Sequence, residues 1–250
     1  VPGVVLGILH DEAVKIAGFG ITNIDHPLEV SDQTLFQIGS ISKTFSGTLI
    51  MKMVENGEID LDATVRSTLP DFRVADEEAA EKVTIRHLLT HTSGWSGDFF
   101  LDTGPGDDAA AKYVSEMAGL EQLAPIGQVW SYNNSGFVLL GRIIELISGK
   151  SYQEALREAI LEPLGLKNTF FEPGDVITHR FATGHDEGQV ARPWPLPRAV
   201  YPAGGITCSA HDLLVYAQFH MGNGVLVNGE RLLEKESLAQ MQTPAAPVWK

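Results

Sequence analysis

One stretch constrains the whole chain. From Ser40 to Glu55 the apolar residues Phe45, Leu49, Ile50 and Met53 recur at helical spacing, and Asn56-Gly57 is a typical helix stop. The spacing predicts one long, largely buried helix, and such a helix needs other elements to cover it. The middle of the chain offers them. A second strong helix is expected from about Ser135 to Ile147, stopping at Gly149. Ser151-Tyr152-Gln153-Glu154 matches a capping box opening a third, and Ser209-Ala210-His211-Asp212 repeats that grammar before Leu213 to Met221. Thr84 can cap a short helix through Thr90. Strand signals concentrate at the N-terminus, where the apolar runs Val4 to Leu9 and Val14 to Ile21 flank the turn signal Asp11-Glu12 and read as a β-hairpin. The polar stretch opened by Asp60-Leu61-Asp62 and the Gly- and Asp-rich segment Gly94 to Asp108 are expected to cross a face rather than build a core. Arg192-Pro193-Trp194-Pro195-Leu196-Pro197 is too proline-rich for a helix or a central strand and reads as a structured loop.

Composition narrows the partners. Eighteen Lys and Arg stand against 32 Asp and Glu, a net charge of −14 that argues against a nucleic-acid or anionic-membrane surface. No run approaches the roughly 18 apolar residues of a membrane span. At 250 residues the chain is one large or two small domains, and its single cysteine, Cys208, leaves packing to hold the fold together. Val1-Pro2-Gly3 opens without Met, basic region or signal-type apolar run, so a periplasmic or secreted place and a cytoplasmic one are equally open. Pro244 to Lys250 reads as a loop without a closing element, which suggests a chain incomplete at its C-terminus.

Gly39-Ser40-Ile41-Ser42-Lys43 places a hydroxyl and an amine one turn apart at the start of the long helix. An amine can serve as base to a serine if its pKa falls, and burial and the positive end of the helix dipole both lower it. The backbone N–H of Ser40 is one donor available to an oxyanion. Alone, S-x-x-K is weak, and the alternative is Ser40 as only a cap with Lys43 only solvated. Trp130-Ser131-Tyr132-Asn133-Asn134-Ser135 adds a phenol for proton transfer beside an amide that both donates and accepts, or else a core tyrosine with an Asn cap.

Four segments in order, Phe36 to Phe45, His87-Leu88-Leu89-Thr90-His91-Thr92-Ser93-Gly94, Trp130 to Gly136, and Pro202-Ala203-Gly204-Gly205-Ile206 followed by Ser209 to Leu213, together resemble the serine β-lactamase superfamily. The likeness is to the branch of class C β-lactamases, D-alanyl-D-alanine carboxypeptidases and related esterases and D-peptidases. It implies Ser40 as the acylated nucleophile, Lys43 as its proton acceptor, Tyr132 as proton relay, and Asn134 as the side chain contacting both the lysine and the substrate's acyl group. It also implies an α+β fold, an antiparallel sheet flanked by helices with an inserted, mostly helical domain. The chain then reads as one catalytic unit: hairpin and nucleophile helix in 1–57, a mostly helical region over about 58–180, and a return toward the sheet over about 181–250. The sequence departs from the family in one place. The Lys or His, small residue and Gly of a late strand are not found, and the late strands and terminal helix have no counterpart before Lys250, so a further C-terminal segment is expected.

Other constellations carry less. His87 and His91 at i, i+4 lack the glutamate of a metalloprotease helix and read as packing or capping residues, so no metal is implied. No G-x-S-x-G surrounds a serine, and no G-x-G-x-x-G or P-loop is present, so no cofactor is implied. Cys208 reads as a small buried residue, Trp95, Trp130 and Trp194 as candidates to line a cleft, and Asp76-Glu77-Glu78 as a solvated face. The expected function is a serine hydrolase acting through an acyl-enzyme on an ester, amide (D-peptide) or β-lactam carbonyl of a small or peptide-like substrate. Ester or peptide is slightly favoured; a true class C-like β-lactamase and a catalytically silent ligand-binding relative are the alternatives.

Overall fold

A computed structural model describes residues 1–10, 13–222, 224–226 and 228–246. The expected hairpin is present as β1 (Gly3–His10) and β2 (Ala13–Gly20), antiparallel with Gly3 opposite Gly20 and His10 opposite Ala13; its turn at 11–12 lies outside the described residues, as do 247–250 of the expected terminal loop. β3 (Leu35–Gln37) then leads through a 3₁₀ turn, Gly39–Ile41, into α1 (Ser42–Glu55). Four short helices follow, α2 (Val65–Thr68), α3 (Glu77–Lys82), α4 (Ile85–Leu89) and α5 (Ala109–Glu116). After α6 (Asn134–Ser148) and α7 (Tyr152–Leu156) the chain crosses β4 (Thr169–Phe170), α8 (Pro173–Val176) and the small pair β5 (His185–Asp186) and β6 (Gln189–Val190). It closes with α9 (Tyr201–Gly204), β7 (Thr207–Ser209), α10 (Ala210–Met221) and α11 (Lys235–Met241). The fold is mixed, with small antiparallel sheets against helices: β1–β2, the three strands β3–β7–β4, and β5–β6. Among the described residues no helix is long and apolar enough to cross a membrane.

α1 is the axis of the structure. Ten of its residues are buried, Phe45, Leu49, Ile50 and Met53 among them, because α6, α7, α9 and α11 pack around it. Phe45 stacks on Tyr216 of α10, ring centroids 3.7 Å apart. Helix ends follow local chemistry. Thr84 and Ser151 close capping boxes with His87 and Glu154, and Gly149 ends α6 at φ 68°, a conformation that costs glycine nothing.

Several expectations change. The long helix begins at Ser42, and Ser40 stands in the tighter turn before it. The stretch from Asp60 to Thr90 builds core after all: Leu61, Val65, Phe72, Val74, Val83, Ile85 and Leu88 are buried, because apolar residues interleave with the surface charges. Ser209 caps α10, but Asp212 does not reach back to complete a box; its carboxylate accepts from the Asn168 N–H (2.7 Å) and the Thr169 hydroxyl (2.9 Å), tying α10 to β4. The acidic run is more than a solvated face, since Asp76 caps α3 and Glu77 makes a two-pronged pair with Arg66. Strands β3, β4 and β7 escaped the sequence reading because two or three residues carry no period.

Candidate active site

Gly39 (φ 53°) turns the chain out of β3 so that Ser40 is exposed on the 3₁₀ turn while Lys43, one turn later, points into the protein at 6% exposure. The Ser42 hydroxyl accepts from the Ile206 N–H (3.1 Å), and the Ile38 N–H donates to the Ile206 carbonyl (3.0 Å), which pins this turn to the segment between α9 and β7.

The Lys43 ammonium donates in three directions: to Asn134 Oδ1 (2.7 Å), to the Ala203 carbonyl of α9 (2.7 Å), and to Ser40 Oγ (3.2 Å). Two of these partners only accept at the atoms concerned. When Lys43 gives up a proton, its remaining two N–H groups keep the two carbonyl oxygens, and the lone pair is left to the hydroxyls beside it, Ser40 and Tyr132, either of which can turn to donate. The arrangement therefore sets the base beside the nucleophile. Burial lowers the Lys43 pKa, while hydrogen bonding to Tyr132 and the charges of Tyr132 and Asp98 oppose the fall.

Tyr132 is partly exposed, and its ring centroid lies 4.8 Å from Lys43 Nζ. The loop carrying it is held by His91. The His91 carbonyl accepts from the Ser131 N–H (2.9 Å), its Nδ1 accepts from the Asn133 N–H (3.0 Å), and its ring stacks on Tyr132 at 4.6 Å. His91 does this from φ 57°, a left-handed conformation uncommon outside glycine. Burial, helped by the nearby Lys43, pushes its pKa down to about 4, so the ring is neutral and Nδ1 stays an acceptor.

Asn133 and Asn134 divide the work. Asn133 is the buried cap of α6, accepting from the Gly136 N–H (2.7 Å) and the Ser135 hydroxyl (2.8 Å) and donating to Ser93 Oγ and the Trp95 carbonyl (both 3.2 Å). Asn134 faces Lys43, and its Nδ2 donates to Asp98 Oδ1 (3.1 Å). Ser40, Lys43, Tyr132 and Asn134 thus come together as expected, from α1, the α6 approach and the turn before α1. The sequence reading missed Asp98, the Ala203 carbonyl and the His91 stack; the local signal for the first was Gly97-Asp98 within a loop, and Gly97 is required there because a Cβ would fall 2.5 Å from the Tyr132 carbonyl oxygen.

Other candidates stand apart. Trp95 is a buried core residue donating to Ser135 Oγ (3.0 Å) and does not line a cleft; Trp194 packs on Phe181, and Trp130 lies beside Tyr132. His87 Nδ1 accepts from the Thr84 N–H (3.1 Å) as part of the α4 cap. Among the described residues no three His, Cys, Asp or Glu side chains gather as a metal site. Burial pushes the Cys208 thiol up to about 12, far from a reactive thiolate. A mostly apolar cavity of about 640 Å³ opens beside Lys43, bounded by Ile41, Thr44, His91, Phe137 and Leu213.

The chain as a whole is similar to known proteins. Penicillin-binding protein 4 of Amycolatopsis lactamdurans is 38% identical over 98% of this chain and 66% of its own length, and a β-lactamase of Providencia stuartii is 29% identical over 88% and 56%. Among solved structures, the octameric penicillin-binding protein homologue from Pyrococcus abyssi superposes with a TM-score of 0.80 at 32% identity, covering 97% of this chain and 56% of that one. The class C β-lactamase from Rhodobacter sphaeroides gives 0.77 at 29% identity, covering 96% and 65%. The chain spans between 56% and 66% of the length of these relatives. The family model described as Beta-lactamase matches residues 1–249, and the chain belongs to that family.

Proposed function

We propose that this chain carries the acylating machinery of a serine hydrolase, working as one catalytic unit on ester or D-peptide carbonyls in preference to β-lactams. The observation that supports it most is the hydrogen-bond set of Lys43: two carbonyl oxygens at 2.7 Å hold two of its N–H groups and leave the third position on Ser40 Oγ at 3.2 Å. In this reading Ser40 Oγ attacks the carbonyl carbon as its proton passes to Lys43 Nζ. The developing oxyanion meets the Ser40 backbone N–H in the 3₁₀ turn that leads into α1. On collapse the carbon–oxygen or carbon–nitrogen bond to the leaving group breaks, Tyr132 gives that group its proton, and Lys43 returns one to Tyr132. Water then attacks the acyl-enzyme by the same path, releasing the acid and restoring Ser40. The free N–H of Asn134 orients the acyl group. The preference for ester or peptide rests on chemistry: acylation is a looser requirement than the fast deacylation a β-lactamase needs. The relatives' names, penicillin-binding protein and β-lactamase, favour a cleft that takes a penicillin as well.

Intact mass before and after exposure to a fluorophosphonate and, separately, a penicillin tests this. A stoichiometric adduct lost in Ser40→Ala is expected. Turnover of a simple aryl ester against a chromogenic cephalosporin ranks the substrates. Retained acylation in Ser40→Ala overturns the nucleophile; a folded protein longer than these 250 residues and inert to both probes is a ligand-binding relative, whereas inertness of the 250 residues alone reports an incomplete site.

A further inference from the structure

Asn134 is oriented from both ends. Its amide oxygen accepts from Lys43 (2.7 Å), and its Nδ2 donates to Asp98 Oδ1 (3.1 Å). An ammonium only donates and a carboxylate only accepts, so the amide stands one way round, with its second Nδ2 hydrogen left for a substrate. Asp98 is held in range by its neighbour. The Gly97 carbonyl accepts from the N–H groups of Asn134 (3.1 Å) and Ser135 (3.3 Å) at the head of α6, so the loop bearing Asp98 and the helix bearing Asn134 are joined by main chain.

We propose that Asp98 is a positioning residue of this site, locking the Asn134 amide with its oxygen on Lys43 and one N–H toward the substrate, and tying the charge of the lysine to a carboxylate at the mouth. The proposal rests on the assignment of Ser40 and Lys43 made above. It has two separable parts, orientation and charge. Without Asp98 the amide still has its oxygen on Lys43 but loses the acceptor that fixes Nδ2, so its free N–H samples more than one direction. The charge part is set by every group facing Lys43: Tyr132 and Asp98 favour the ammonium, burial favours the amine, and the neutral His91 ring packs on Tyr132. Removing the Asp98 charge therefore makes Lys43 lose its proton at lower pH.

Asp98→Asn and Asp98→Ala separate the parts, because asparagine keeps an acceptor oxygen for Asn134 and alanine does not. Asp98 is exposed, so both variants are expected to keep the wild-type circular dichroism. The rate of fluorophosphonate acylation is measured from pH 5 to 10. In both variants the acid limb moves down by about half a pH unit, and in Asp98→Ala the plateau also falls about tenfold, more than in Asp98→Asn. A second readout needs no turnover: the Lys43 side-chain resonance in ¹³C-lysine-labelled protein, assigned by its loss in Lys43→Ala, titrates lower in Asp98→Asn. If wild type acylates but neither the acid limb nor the resonance moves, the proposal is overturned and the Ser40 assignment stands. If wild type forms no adduct while the resonance still moves, the hydrolase reading falls and the tie between Asp98 and Lys43 stands. Equal plateaus in Asp98→Ala and wild type overturn the orientation part.

Discussion

Lys43 and the β1–β2 hairpin stand at opposite extremes of the same molecule. The lysine, a charged residue in the first turn of its helix, is 6% exposed and donates to three acceptors, whereas Val4, Leu6 and Ile8 of β1 are each more than half exposed. The difference lies in what surrounds each. α1 is packed on by α6, α7, α9, α10 and α11, while the hairpin leans on the body through one face, where Gly7 lets α10 approach so closely that a Cβ would fall 2.9 Å from Leu214 Cδ1. A buried amine is tolerated because every hydrogen is accounted for; an exposed apolar face is tolerated because leaving it in water breaks no hydrogen bond. The candidate site thus draws its order from the helical body, and changes inside that body are expected to reach it far more strongly than changes on the hairpin.

The largest effect is expected where α6 and α9 touch behind the site. A Cβ on Gly141 would lie 2.2 Å from Pro202 Cγ, and Pro202 precedes the Ala203 carbonyl that accepts from Lys43. Gly141→Ala should destabilise the fold by about 2 kcal/mol in denaturant melts, although alanine is the better helix former by about 1 kcal/mol. It should also slow acylation, since α9 must move. Gly47→Ala, in α1 itself, is the control: its Cβ meets only Met241 Cε at 3.7 Å, and a gain of up to about 1 kcal/mol is expected. Equal effects at the two glycines would erase the claim that the α6–α9 contact supports the site. Next comes Asn133→Ala, which strips the cap of α6 and leaves the Ser135 hydroxyl and Gly136 N–H short of a partner; about 2 kcal/mol of stability should be lost.

The site was legible where its chemistry is local. Ser40 and Lys43 lie a turn apart, Tyr132 and Asn134 two residues apart, and spacing that short survives folding unchanged. Asp98 and the Ala203 carbonyl were not legible, because they reach Lys43 and Asn134 only when a loop and a four-residue helix are brought up by long-range packing. The same holds for the fold. The helices α1, α6 and α10 and the hairpin announce themselves by period and caps, whereas the core contribution of Leu61, Val65 and Phe72 is masked by the charges around them, and β3 and β7 pair over three residues each.

A smaller, graded effect follows from His91. Its folded pKa of about 4 lies below the ordinary value of 6.5, so between those limits the unfolded chain binds more protons than the folded one. Stability is then complete above pH 6.5 and falls by roughly 1 kcal/mol per unit as the pH drops toward 4. The pKa values of His87 and His220 are lowered too and add to the same slope. His91→Asn tests the assignment, because asparagine tolerates the left-handed φ and keeps an acceptor. Melts at pH 5 and 7.5 should differ less in the variant than in wild type. An unchanged pH slope would mean that His91 is not the buried titrating ring.

The smallest effect belongs to the hairpin's outer face. Leu6 is 54% exposed, and Leu6→Thr exchanges a half-wet side chain for one with good strand propensity. With no core volume vacated, the expected change is below about 0.5 kcal/mol, and acylation should be untouched. Leu9→Ala, on the face turned inward, is the companion measurement and should cost more. The pair sharpens the contrast between hairpin and body in a way a single variant cannot. If Leu6→Thr instead costs more than about 1 kcal/mol, the outer face of β1 is covered in solution, since only a side chain already removed from water has that much burial to lose.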